Sequence, residues 1–124
     1  MREERKIMNY SSAIENLLDV IANDYYMFSA RSSYCENKEW AEEREKTFRS
    51  QLSVSEGRVY DKVIRTDNQR SVWGFIVKKD TAKFKKGDVL MASSWSAPAT
   101  NKARASIFDD TVNSVQWTGP RYLF

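Results

Sequence analysis

The sequence predicts an α+β fold: an N-terminal helical hairpin packed on an antiparallel sheet, one that could curl toward a barrel. Three observations carry that expectation. Apolar residues recur at three- and four-residue spacing up to about residue 52 and by alternation after Gly57. Ser12-Ala13-Ile14-Glu15 has the form of a capping box, a serine N-cap with glutamate three residues on. Val72-Trp73-Gly74-Phe75-Ile76-Val77 is a β-branched and aromatic run too short for a free-standing helix. A length of 124 residues fits one domain, 1–124, with the hairpin at 12–52 and the sheet at 57–124.

The first helix is expected over Ser12–Arg31, where Ile14, Leu17, Leu18, Ile21, Tyr25 and Phe28 line one face. Asn37 can cap a second helix running to Leu52, with Trp40, Arg44, Phe48 and Leu52 recurring every fourth residue. Strands are expected near 58–65, 71–78, 88–94, 112–117 and 121–123, with a single helical turn at 101–105. Thr66-Asp67-Asn68-Gln69 turns the first hairpin, and Gly87-Asp88 the second. Gly74 in mid-strand marks a bulge or a close backbone approach. The expected core is Ile14, Leu17, Leu18, Ile21, Phe28, Trp40, Phe48, Leu52, Phe75, Val77, Val89 and Leu90.

Composition excludes several chemistries. The chain has no histidine and one cysteine, Cys35. A Cys/His zinc site is therefore absent within one chain, and Ser-His-Asp or Cys-His catalysis lacks its base. No Walker loop, nucleophile elbow or glycine-rich cradle is present. Asp109-Asp110 lies in a loop, where adjacent carboxylates favour turns and water. No catalytic residue, cofactor or metal is expected. The start MREERK has no apolar core behind it, and no apolar run nears the roughly 18 residues that cross a bilayer. A reduced, cytoplasmic protein is the expectation.

Charge is unevenly placed. Residues 1–57 hold 8 Lys/Arg against 11 Asp/Glu, and residues 58–104 hold 11 against 4, so an acidic helical half meets a basic sheet half.

Five blocks, GRVYDKVI, SVWGFIVKKD, FKKGDVLMASSW, APATNKARASIFDD and VQWTGPRYLF, stand in that order from Gly57 to Phe124. They resemble a group of small uncharacterised proteins of tailed bacteriophages. In that group a GRKY-type strand leads to SVWGF, then K-GDILKAA-W, PA…ARGN and WTGP-YL. The resemblance implies a phage origin, a host-cell cytoplasmic location and a compact sheet domain, and brings no activity. Arg104-Ala105-Ser106 departs from the Arg-Gly-Asn of the pattern, so any turn or phosphate role of that element is in doubt.

Two binding surfaces follow. Lys78, Lys79, Lys83, Lys85 and Lys86 share one loop, with Lys102 and Arg104 and also Arg58, Arg65 and Arg70 nearby in sequence. Trp73 and Trp95 offer stacking surfaces among them, as do Phe75 and Trp117. Phosphate neutralisation with aromatic stacking suits single-stranded nucleic acid. Solvated lysines guarding sheet edges explain the same pattern. Alternatively, Glu39, Glu42 and Glu43, with Glu36, Glu45 and Trp40, form an acidic face that engages a host protein, or a face that is simply solvated. The leading expectation is a non-catalytic phage accessory protein that binds a host protein, with single-stranded nucleic-acid binding as the alternative. The sequence leaves the oligomeric state open.

Overall fold

The computed structural model describes residues 9–30 and 38–120. Two helices are followed by a five-stranded antiparallel sheet, as the change of periodicity predicts. Helix α1 spans Tyr10–Ala30 and helix α2 spans Lys38–Gln51. The cap of α1 is Asn9 rather than Ser12: the Ser12 N–H donates to Asn9 Oδ1 at 2.8 Å, and the Ala13 N–H to the Asn9 carbonyl at 2.9 Å. Asparagine answers an orphan donor of the first turn as well as serine does, so the helix starts two residues early. Arg31, Asn37 and Cys35 lie outside the described residues, as does the expected strand at 121–123.

Strand β1 (Leu52–Ser55) runs straight out of α2. It is followed by β2 (Tyr60–Thr66), β3 (Arg70–Val77), β4 (Asp88–Leu90) and β5 (Ala105–Ser106), in the spatial order β1-β2-β3-β4-β5. The sheet is an open meander and β1 does not pair with β5, so no barrel forms. β1 and β5 were not expected. The 112–117 segment, expected as a strand, is instead a 3₁₀ helix over Asp110–Ser114, capped by Asp109 Oδ1 accepting from the Thr111 N–H at 2.8 Å. Residues 101–105, expected as a helical turn, run extended into β5, and the strand expected over 88–94 ends at Leu90.

The β2–β3 register slips between Val63 and Ile64: Val63 pairs with Gly74 and Ile64 with Val72. This bulge sits where Gly74 interrupts the apolar run. A Cβ on Gly74 would stand 2.8 Å from Pro120 Cγ and 3.0 Å from the Leu90 carbonyl oxygen, so glycine lets Pro120 close over the sheet. Gly87, at φ +95°, makes the tight turn into β4.

The sheet is covered on both faces. On the inner face, Ala13, Leu17, Ile21 and Ala22 of α1 meet Val63, Trp73, Ile76 and Val89, with Phe48, Val112 and Val115 closing the sides. On the outer face, Phe75, Val77 and Leu90 lie under Phe84 of the 78–87 loop and Ala92 and Ala103 of the 91–104 loop. Two expected core residues are on the surface instead. Phe28, in the last turn of α1, is 56% exposed: its ring lies against Tyr25 and the half-buried Trp117 rather than inside the buried cluster. Trp40 is 41% exposed because the first turn of α2 presents its neighbour Ala41 to the core, while Phe48 keeps its expected place.

Candidate functional site

The basic loop is less free than its sequence implies. Lys78 Nζ lies 3.2 Å from Glu56 Oε1 and 3.7 Å from Asp61 Oδ1, and donates to the Gly57 carbonyl at 3.1 Å. Asp61 is buried, and it also accepts from the Tyr10 hydroxyl at 2.8 Å and the Gly57 N–H at 3.1 Å. Burial and that bond to a carboxylate push the Tyr10 hydroxyl well above the usual phenol range. The cluster joins the start of α1 to the sheet edge, so Lys78 is a structural cation. Lys83 Nζ donates to the Thr100 carbonyl, tying the two outer-face loops together. Lys86 Nζ stands 5.1 Å over the Tyr10 ring. Lys79, Lys85 and Lys102 face solvent. Arg104 turns back on its own loop, bonding the Lys102 carbonyl at 3.1 Å and Asn101 Oδ1 at 3.1 Å.

Of the two tryptophans expected as stacking surfaces, Trp73 is only 6% exposed. Its indole N–H donates to the Gln116 carbonyl at 2.9 Å, and the bulge turns its ring toward the helices. It is a core residue, not a platform. Trp95 is 44% exposed on the 91–104 loop. Lys62 Nζ lies 4.2 Å and Arg70 Cζ 5.3 Å from its ring centroid. Lys62, directly opposite Phe75 in the sheet and 6.0 Å from that ring, was missed by sequence reasoning. Its only signal was its place among the outward-alternating positions of β2.

The acidic candidates stand on α2. Glu39, Glu42 and Glu43 are exposed on α2 and none is ion-paired among the described residues. Arg49, one helical turn before β1, is instead held by Asp19 at 3.0 Å and Glu15 at 2.7 Å of α1. Glu45 sits between these groups. Partial burial, then Glu42 and Asp19, raise its carboxyl above the ordinary range.

Beside this acidic face, aromatic rings of α1 and α2 gather around Trp117. Tyr25 stacks on Phe48 at 4.5 Å and meets Trp117 edge-on at 5.0 Å, and Phe28 lies 5.1 Å from Trp117. The backbone N–H of Trp117 donates to Asp24 Oδ2 at 2.9 Å, which ties this segment to α1. Arg44 lies over Trp40 at 4.9 Å and donates to the Tyr25 hydroxyl at 2.6 Å. Arg65 lies over Phe48 at 4.5 Å. Between α2 and the β2–β3 turn these residues line a cleft of about 470 Å³, whose far wall is Gln51, Asp67 and Asn68. The Gln69 N–H, then Arg65, hold the Asp67 carboxyl below its usual range. Met27, 42% exposed, belongs to a different hollow, which it lines with Val20, Asn23, Asp24 and Val115.

Among the described residues no three Asp, Glu, His or Cys side chains come together to hold a metal ion, and no helix is long and apolar enough to cross a membrane. A family model, described as a family of unknown function (DUF7717), matches residues 1–123. No curated protein and no solved structure matches the chain.

Proposed function

Because the chain belongs to DUF7717, a family of unknown function, we propose from its own surface that it is a non-catalytic accessory protein of a tailed bacteriophage. In this reading it works in the host-cell cytoplasm by binding a host protein through the aromatic surface of its helical hairpin. The observation that carries the reading is the exposure of Trp40 on an aromatic-walled cleft, with Phe28 exposed beside Tyr25, one of its lining rings. Phe28 holds a core position by spacing, yet more than half of it is exposed. Solvent-facing apolar patches next to a formed cleft mark protein contacts more often than chance surface. The phage resemblance of residues 57–124 supports the origin.

Charge specifies the partner's chemistry. Glu39, Glu42 and Glu43 flank Trp40 on α2 and none is ion-paired among the described residues, so the complementary surface carries an apolar anchor flanked by Lys or Arg. Arg44 and Arg65, held flat on aromatic rings, suit one acceptor group of that anchor in the cleft.

The test is affinity capture of the tagged protein from infected cells after nuclease treatment. Wild type should retain a host protein that Trp40→Ala and the triple Glu39→Lys, Glu42→Lys, Glu43→Lys variant lose. The Lys83→Glu, Lys85→Glu, Lys86→Glu variant should keep it. A partner released by nuclease, or one indifferent to Trp40 and the three glutamates, would overturn the reading.

A further inference from the structure

We infer that the outer sheet face is a second, independent site, which binds single-stranded nucleic acid with Trp95 as its base-stacking platform. The ring is held in place without being buried. Lys62 from β2 and Arg70 from β3 stand 4.2 and 5.3 Å from its centroid, while 44% of the residue remains open to solvent. Cation–π contact fixes the ring's position over the sheet while leaving surface on which a base can lie. Neither Lys62 nor Arg70 has a carboxylate partner among the described residues, in contrast to Lys78, which is bound to Glu56 and Asp61. Their charge is therefore available to the phosphates on either side of a stacked base.

Continuity of positive charge extends the site along a strand's path. The Lys83 ammonium donates to the Thr100 carbonyl, which joins the basic loop to the loop carrying Trp95. Lys79, Lys85 and Lys102 are exposed on these same two loops. The carboxylates in the basic loop are already engaged by backbone: Asp80 accepts from the Lys86 N–H at 2.8 Å, and Asp88 from the Lys85 N–H at 3.0 Å. A flat aromatic ring among unneutralised cations on a sheet surface recognises stacked bases and their backbone. It offers no ridge or helix for a duplex groove. Single strands are thus favoured over duplex, with little dependence on base identity.

The experiment is fluorescence anisotropy with labelled oligothymidylate and oligouridylate of about 20 nucleotides, and a duplex of the same length, at about 50 and 200 mM salt. Wild type should bind the single strands more tightly than the duplex, with affinity falling as salt rises. Trp95→Ala should weaken single-strand binding about 5- to 150-fold, the range of one lost base stack. Lys62→Gln and Arg70→Gln should each flatten the salt slope by about one unit. Thermal unfolding of each variant keeps the result interpretable, since all three side chains are at least partly exposed and their loss should leave the midpoint unchanged. No single-strand binding tighter than about 100 μM at the lower salt would overturn the inference. So would binding that Trp95→Ala leaves intact, or a duplex bound as tightly as the single strands. None of these outcomes bears on Trp40 or the acidic helix, so the host-protein reading stands or falls separately.

Discussion

The two faces of the sheet are closed by different means. Two helices and a 3₁₀ turn seal the inner face around seventeen buried apolar residues among those described. The outer face has four, Phe75, Val77, Phe84 and Leu90, under two loops. A helix can lay a whole stripe of side chains on a sheet, whereas a loop must solvate its own backbone and covers only in patches. The inner face therefore supplies most of the stability, and the outer face leaves an aromatic ring in water.

Truncating one phenylalanine on each face breaks or sharpens that contrast most strongly. Phe48→Ala, on the inner face and stacked on Tyr25, should cost about 3–5 kcal/mol in urea unfolding. Phe84→Ala should cost less than Phe48→Ala, because the 78–87 loop can settle into the gap. It should also speed hydrogen exchange in that loop while leaving α1 unchanged. Equal costs would mean that the two faces are equally rigid.

Next in size come Asp61 of β2 and Gly74 of β3. Asp61→Ala should cost about 1–3 kcal/mol, since it leaves the Tyr10 hydroxyl and Gly57 N–H unanswered beside Lys78. Gly74→Ala should cost about 1–3 kcal/mol by pushing Pro120 off the bulge. A neutral result there would show that Pro120 does not seal the sheet.

The smallest expected effect tests the acidic helix. The Glu45 carboxyl is raised above its ordinary 4.5 in the folded chain, by burial and then by Glu42 and Asp19. The folded state thus binds this proton more tightly than the unfolded one. Its contribution is favourable below 4.5 and is lost as pH rises through the raised value. Glu45→Gln should be more stable than wild type near neutral pH, by under about 0.5 kcal/mol, and this advantage should vanish in acid.

What the sequence disclosed follows from what periodicity can encode. Long repeats fixed α1, α2 and the β2–β3 hairpin, and glycine in a β-branched run announced the bulge. Periodicity names a helical face but not how far the opposing layer extends, so Phe28 looked like core. It also tolerates a one-residue offset where a small residue makes the closest approach, so Ala41 displaced Trp40. Val112 and Val115, three apart, fit a 3₁₀ turn as well as a strand, and only the Asp109 cap decides. β1 and β5, four and two residues long, are strands because longer neighbours hold them there. Trp73 misled for a related reason: the register slip beside it exchanges faces, which no residue pattern in β3 alone reveals. Of the candidate sites, charge asymmetry was legible and pairing was not. Lys78 looked like its loop neighbours until Asp61 proved to be buried beneath it.

Hydrogen exchange of the full chain, with and without the captured host protein, tests the central claim most directly. The account predicts slowed exchange over residues 22–30 and 38–48, where the two helices carry Phe28 and Trp40, and no change over 91–104. Protection confined to the Trp95 loop, with the helix ends exchanging as in the free protein, would contradict it.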